Sequence, residues 1–433
     1  MALVRCIGRW TMTALVINCI VGGGIFGLPG ELNRLLGRAS PLAVLVAALA
    51  VGVMIACAAE VASQFSEAGG PYLYIRTAFG RFAGLVVGWI QLLSVTAGVA
   101  ALSDLFATFF ATLFHWPSTH WQRGLLIAGL IAVPAIANYR GVSKGAILNN
   151  ALSLAKLAPL ALLIVLGVGR FAQHPQLVPV SEIASPGISN WLRALVFLIS
   201  AFNGWEDSVV PSGETKDPRR TIPFGLGMAL LAVAGIYALI QFITVATITP
   251  GMTDAPLQGV ASVLIGRGGA TFVTVAALIS LYGWISAAML YAPRLAYSLG
   301  EHGDFPAILA RVHPKFRTPA AAIVFYALLG WLLASSGTFL WLMALGAGTS
   351  LIMYAGMCCA LVRLRKTRPN ADALRIPFGP VMSAVGVILC VALLTGLHRG
   401  EALLLALTVV VATLNWLVVR RRPQPEHAAA GAQ

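Results

Sequence analysis

The sequence predicts an all-α integral membrane protein of twelve transmembrane helices. Three observations predict it: 58% of the 433 residues are apolar, only 10% are charged, and the apolar residues fall in long runs. A soluble domain carries roughly 25% charged residues. Much of any folded surface faces water, so a soluble chain of this size could not hide so much apolar area. Lipid is therefore the expected solvent. This composition excludes a disordered chain, a soluble enzyme and a disulfide scaffold.

A helix needs about 20 apolar residues to cross the hydrocarbon core. Twelve stretches meet or approach that length, some with interruptions: residues 10–36, 41–63, 82–114, 124–138, 146–169, 190–211, 224–249, 269–297, 320–334, 339–361, 377–397 and 402–419. Arg5 and Arg9 precede the first, as in a signal peptide. No small-residue cleavage site follows, and the stretch runs on through glycines into Leu28 and Pro29, so it reads as an uncleaved helix. The fourth and ninth stretches are short and the third is long, so tilt is expected to vary. Residues 302–318 form the longest inside loop and are expected to hold a short amphipathic helix. Residues 423–433 are expected to be a disordered cytoplasmic tail.

Charge sets the orientation. The net charge is +14. With the N-terminus inside, 21 of the 29 lysines and arginines fall in inside loops and span ends and 7 in outside ones, with Lys156 left within span five. This matches the positive-inside rule. Both termini are expected in the cytoplasm and the protein in the plasma membrane, the inner membrane of a bacterium. No basic stretch with interleaved aromatics suggests a nucleic-acid partner.

The six cysteines, Cys6, Cys19, Cys57, Cys358, Cys359 and Cys390, form no CxxC pair and read as small buried hydrophobes. His115 and His120, with Trp116 and Trp121, fit an outer interfacial belt better than a metal site. The chain lacks a phosphate-binding P-loop, an HExxH and a GxSxG motif. Neither ATP-driven transport nor enzyme catalysis is expected, and no cofactor.

Two spans are broken in a similar way. Span one contains Val21-Gly22-Gly23-Gly24-Ile25-Phe26-Gly27-Leu28-Pro29. Span six contains Ala201-Phe202-Asn203-Gly204-Trp205-Glu206-Asp207, with Pro211 beyond. Each glycine costs a helix roughly 1 kcal/mol relative to alanine. Unwound backbone is tolerated in a membrane only against protein or a wet cavity. Free N–H groups at a half-helix N-terminus attract a carboxylate, and free carbonyls at a half-helix C-terminus attract an ammonium. A zwitterion such as an amino acid uses both. Small residues also serve close helix packing, but matching breaks five helices apart favour a substrate site between inverted copies.

With Gly22-Gly23-Gly24-Ile25-Phe26 go Glu67-Ala68-Gly69-Gly70-Pro71-Tyr72, Phe202-Asn203-Gly204-Trp205-Glu206, the loop from Glu214 to Pro223, and a stretch from Arg294 through Gly303 to Pro306. In this order and spacing the chain resembles the amino acid–polyamine–organocation (APC) superfamily of transporters over essentially its whole length. The resemblance implies a leucine-transporter-like fold of five plus five inverted helices with two more appended. Residues 1–170 would form the first repeat, 171–362 the second, and 363–422 the last two helices. It also implies alternating access and amino acid or amine substrates. The family usually has a Gly-Ser-Gly-like trio in helix 1, so the lost hydroxyl alters how a carboxylate is held. Asp217 stands where asparagine is commoner.

The expected site follows. The substrate carboxylate meets N–H groups around Gly23, Gly24 and Ile25, next to Gly22. Its ammonium meets carbonyls near Ile20, Val21, Phe202 and Asn203, beside Gly204. Phe202, Trp205 and Trp284 either shape side-chain selection or simply pack. Lys156 lies about 15 Å into span five, too deep for easy snorkelling. It is either structural glue or a group for coupling and gating, with neighbours near Gly22 and Ser286. In proton-coupled relatives and some exchangers a lysine here stands where sodium sits, so sodium coupling is not expected. Glu206 either caps the second half-helix or, as the resemblance implies, gates or senses pH, while Asp207 is expected on another face. Asp104 pairs with another group or holds a cationic side chain. Glu60 and Glu67 read as gate or loop residues.

The chain is therefore expected to be a proton-coupled or exchanging transporter of L-amino acids. Neutral ones are preferred because few acids are available for a second positive charge. An amine, polyamine or cationic amino acid antiporter is the alternative, and a non-transporting amino acid sensor a distant one.

Overall fold

The computed structural model describes residues 8–65, 70–116, 119–140, 157–173, 186–208, 215, 217–247, 256–266, 268–316, 318–368 and 374–420. Among them every regular element longer than a single bridge is helical. The first expected span is split into α1 (Arg9–Ile20), α2 (Gly24–Gly27) and α3 (Pro29–Leu36). Next come α4 (Ser40–Ala62), α5 (Gly70–Phe79), α6 (Arg81–Phe114), α7 (His120–Arg140) and α8 (Leu157–Gln173). The sixth expected span is split into α9 (Ile188–Phe202) and α10 (Trp205–Ser208). The remainder are α11 (Pro218–Thr247), α12 (Pro256–Ile265), α13 (Gly269–Glu301), α14 (Ala320–Ser336), α15 (Phe339–Thr367), α16 (Gly379–Leu394) and α17 (Arg399–Val419).

Each stretch read as a span thus contains helix, and seven helical stretches are long and apolar enough to cross a membrane. Together with the apolar outer faces this makes the chain a multi-pass membrane protein. Leu42, Leu45 and Leu49 of α4 and Leu403, Leu407 and Leu414 of α17 are exposed. Water would penalise such surfaces and lipid would not. α6 and α15 form the interior: 72% of each apolar stretch is buried, against 22% for α17. They pack against each other along their length.

Several local expectations are corrected. Residues 302–316 make turns and no helix. Their anchor is Asp304, fully buried, whose carboxylate accepts from Arg81 Nε at 2.7 Å and from the Tyr72 hydroxyl at 2.9 Å. With the backbone pinned this way, an amphipathic helix is not needed to bury the loop's apolar residues such as Phe305. Two further helices, α5 and α12, lie where loop was expected. α7 runs 21 residues, so the fourth span is not short. Cys359 is exposed, whereas Cys57, Cys358 and Cys390 are buried as expected. Cys6, Glu67 and the tail after 422 lie outside the described residues.

One end of the bundle, the one expected to face the cytoplasm, is tied by ion pairs. Asp304 joins α5 and α6 to the turn after α13, and Asn415 of α17 donates to its carbonyl at 2.6 Å. Burial, and then the Asp304 carboxylate, hold the Tyr72 phenol above its usual range. Glu60 of α4 accepts two hydrogen bonds from Arg365 of α15, at 2.6 and 2.7 Å, and a third from the Ile376 N–H. At the other end Arg193 of α9 makes a two-pronged pair with Glu401 of α17.

Candidate functional site

The two breaks meet. α1 ends where Val21 turns extended, and α2 starts at Gly24. α9 ends where Asn203 turns extended, and Gly204 follows at φ +106°, a conformation open to glycine. A Cβ on Gly204 would lie 2.4 Å from the Cys19 carbonyl oxygen. The chain of one break therefore rests directly on the other, and only glycine fits between. Gly24 is similarly close to α9, since a Cβ there would lie 2.9 Å from the Ala201 Cβ.

The backbone N–H and carbonyl groups at the first break differ in their partners. Among the described residues, no backbone carbonyl meets the N–H groups of Gly22, Gly23, Gly24 or Ile25. The carbonyls at the end of α1 are met by side chains. The Tyr237 hydroxyl lies 3.2 Å from both the Ile20 and Ala201 carbonyl oxygens, and Trp284 Nε1 lies 3.4 Å from that of Cys19. Tyr237, on α11, thereby pins the two breaks together.

Between them is a cavity of about 70 Å³. A water takes roughly 10–15 Å³ on that scale, so the space holds several water-sized groups. Of the expected site residues, Ile20, Gly22, Gly23, Gly24, Asn203, Gly204, Glu206 and Trp284 line it. Val21, Ile25, Phe202 and Trp205 are buried behind it, with Phe202 against Tyr237 and Trp205 stacked on Tyr354 at 4.8 Å. Their side chains pack, as the bland alternative for the aromatics had it.

Glu206 sits within the second break and at the cavity wall. It caps the break, accepting the Gly204 N–H at 2.9 Å, and it reaches the cavity. The Tyr354 hydroxyl lies 2.8 Å from Glu206 and 3.1 Å from Asn203 Oδ1, while Asn203 donates to Ser350 at 2.8 Å. This polar chain ties the second break to α15.

Asp104 lies elsewhere. It pairs with Arg123 at 2.5 Å and accepts the Phe339 N–H at 2.9 Å, so it joins α6, α7 and the start of α15. It lines a separate hollow with Trp121 and Trp331. The first of its two expected readings, a pair with another group, matches this geometry. Ser286 is half-buried on α13 and off the cavity. Lys156 lies outside the described residues.

The sequence reading missed two walls. Ser94, Gly98 and Leu102 of α6 and Leu342, Met343 and Gly346 of α15 line the cavity too. The small residues were visible, but nothing in their linear spacing places spans three and ten beside the breaks. Asp207 and Tyr291 also line it. Asp207, expected on another face than Glu206, lines the same cavity. The argument for neutral substrates from a shortage of acids therefore loses its premise.

Comparison with known proteins identifies the family. Residues 7–413 match the family model described as amino acid permease. A serine/threonine exchanger of Bacillus subtilis is 30% identical over 335 residues, 74% of either chain. A methylthioribose transporter of the same organism is 25% identical over 97% of this chain and 94% of its own. The human cationic amino acid transporter 4 is 27% identical over 76% of this chain and 55% of its own. Breaks, helices and matched length converge: the chain belongs to the amino acid permease family of the APC superfamily, whose members are transporters and not enzymes.

Proposed function

We propose that the chain is a secondary active transporter that carries L-amino acids by alternating access, with the substrate held between the two breaks. The observation that carries this is the cavity lined by Gly22, Gly23 and Gly24, whose N–H groups meet no backbone carbonyl among the described residues, together with Asn203 and Gly204. A carboxylate suits the first and an ammonium the carbonyl side. In this reading twelve helices cross the membrane, ten of them as two inverted sets of five. Residues 1–170 and 171–362 are the two repeats, and 363–422 the last two helices. Both termini face the cytoplasm, across the plasma membrane. Coupling is to protons or to exchange against a second amino acid, with Lys156 occupying the position where sodium-coupled relatives hold their ion. The names of a serine/threonine exchanger and a cationic amino acid transporter among the relatives support amino acids as the substrate class.

The test is uptake into liposomes holding the purified protein. Twenty labelled amino acids are presented with and without a pH gradient, and with and without internal substrate. A subset is expected to accumulate under the gradient or to exchange. Protein that binds an amino acid yet never moves one would indicate a sensor instead.

A further inference from the structure

A hollow of about 800 Å³ opens between the start of α7 and the end of α14, apart from the cavity at the breaks. Small-molecule sites commonly measure ~300–1,000 Å³. Asp104, His120 and Arg123 are its charged and titratable lining, and Trp121, Leu125 and Trp331 its apolar side. Trp331 Nε1 donates to the Gly124 carbonyl at 3.0 Å and so holds α14 against α7 at the rim. α7 is long and apolar enough to cross a membrane, and the hollow lies where it begins. Trp116 and Trp121 are exposed there. Tryptophans of membrane proteins gather at the level of the lipid headgroups, which places the hollow at headgroup depth.

The lining has a positive and a negative side. Arg123 gives Nε and Nη2 to Asp104, and Nη2 also to Thr108, which leaves Nη1 without a hydrogen bond among the described residues. It stands in the first turn of α7, where the helix dipole favours an anion. Opposite, α14 ends at Ser336 with no capping N–H. The Ser335 and Ser336 hydroxyls turn back to the carbonyls of Trp331 and Leu333. Among the described residues no backbone N–H meets the carbonyls of Ala334, Ser335 or Ser336. Carbonyls at the negative end of a helix attract an ammonium. The Asp104 charge is balanced by Arg123, so neither a plain anion nor a plain cation answers both sides, whereas a zwitterion does.

The apolar lining continues beyond the hollow. Trp121, Leu125 and Val133 share one face of α7 at helical spacing, as do Leu328 and Leu332 on α14, and all five are exposed. The two helices pack together, so these rows lead from the hollow into the surface that faces lipid. A phospholipid with a primary amine answers each part. Its phosphate suits Arg123, its ammonium supplies three donors to the carbonyls, and its acyl chains cover the rows. A choline headgroup has no N–H for the carbonyls, and a glycerol headgroup brings no positive charge.

We propose that this hollow binds a zwitterionic aminophospholipid, phosphatidylethanolamine, with its phosphate on Arg123 and its ammonium on the end of α14. The proposal rests on the chain being a membrane protein and is independent of what the cavity at the breaks carries.

The experiment offers the full chain, purified in detergent, equal amounts of dioleoyl phosphatidylethanolamine, phosphatidylcholine and phosphatidylglycerol. Bound lipid is counted by native mass spectrometry, and the melting temperature is measured with each lipid alone. A Cβ on Gly124 would meet nothing within 4 Å, and replacing a glycine favours the helix. Gly124→Phe therefore fills the hollow and leaves the Asp104–Arg123 pair in place. Gly235→Phe on α11, where a Cβ is equally unobstructed, is the control.

The wild type and Gly235→Phe are expected to retain phosphatidylethanolamine over either other lipid by at least threefold and to melt highest with it. Gly124→Phe and Arg123→Gln are expected to lose that preference. Gly124→Phe carries the test where Arg123→Gln, which also strips Asp104 of its partner, does not fold. Equal retention of the three lipids by the wild type overturns the proposal. A preference for phosphatidylglycerol also overturns it, and reduces the hollow to a basic patch. A phosphatidylethanolamine preference that persists in Gly124→Phe places the lipid elsewhere and overturns it too.

Discussion

Gly204 is where the two breaks depend on a single missing atom. Its φ of +106° lies outside what L-residues adopt readily, and a methyl group would press on the Cys19 carbonyl oxygen. Gly204→Ala is therefore expected to separate the breaks. We expect a lower melting temperature and amino acid affinity reduced at least tenfold, measured by calorimetry; wild-type values for both would show that the breaks do not support one another. Tyr237 is the complementary contact, a hydroxyl shared between two carbonyls from different breaks. Tyr237→Phe removes only that oxygen and leaves two buried acceptors short of a donor, at a cost of about 1–3 kcal/mol. Its melting temperature should fall while the ring contact with Phe202 remains. No change in melting would mean that water replaces the hydroxyl.

At the scale of helices, the ion pairs decide which elements can move against which. Glu60 is 1% exposed and gives its oxygens to Arg365 and to the Ile376 N–H, which joins α4, α15 and the segment before α16. Removing one partner of a buried pair costs about 3–5 kcal/mol, because the other charge is left unmet. Arg365 is partly exposed and water would relieve some of this, so the lower half of that range applies to Glu60→Ala. The expected readout is a clear loss of thermal stability in detergent, larger than for Glu31→Ala, whose Arg34 partner is mostly exposed. Equal losses for the two variants would contradict this ranking. Asp304 plays the same part for α5, α6 and α17, and its carboxylate explains why residues 302–316 hold their shape without a helix.

For the whole molecule, the coupling ion is the most exposed part of the proposed function. The role proposed for Lys156 predicts that external sodium does not drive uptake. Replacing sodium with choline in the outer buffer should leave the initial rate unchanged within twofold. A steep sodium requirement would remove the argument. Lys156→Ala should slow turnover or abolish its pH dependence, read as initial rates across a pH series, and a wild-type profile would return the lysine to a structural role.

Much of the architecture was legible in the sequence. The number and order of apolar runs predicted a helix in each, because the bilayer requires every backbone group to be satisfied within its own helix. The glycines at 22–24 and Asn203-Gly204 marked both breaks, since helix propensity is a local property. The division of those residues into cavity wall and packing was not legible. Ile25, Phe202 and Trp205 sit one helical turn or less from residues that line the cavity, and only the direction of each side chain separates them. Nor did span three or span ten announce that Ser94, Gly98 and Gly346 face the breaks. What the chain determined alone was therefore its solvent, its helices and the two places where they unwind, all consequences of local composition. What tertiary structure decided was the set of side chains brought together there. Asp104 went to Arg123 and Asp207 to the cavity, because ion pairs and buried acceptors depend on distances across the fold that linear spacing does not encode.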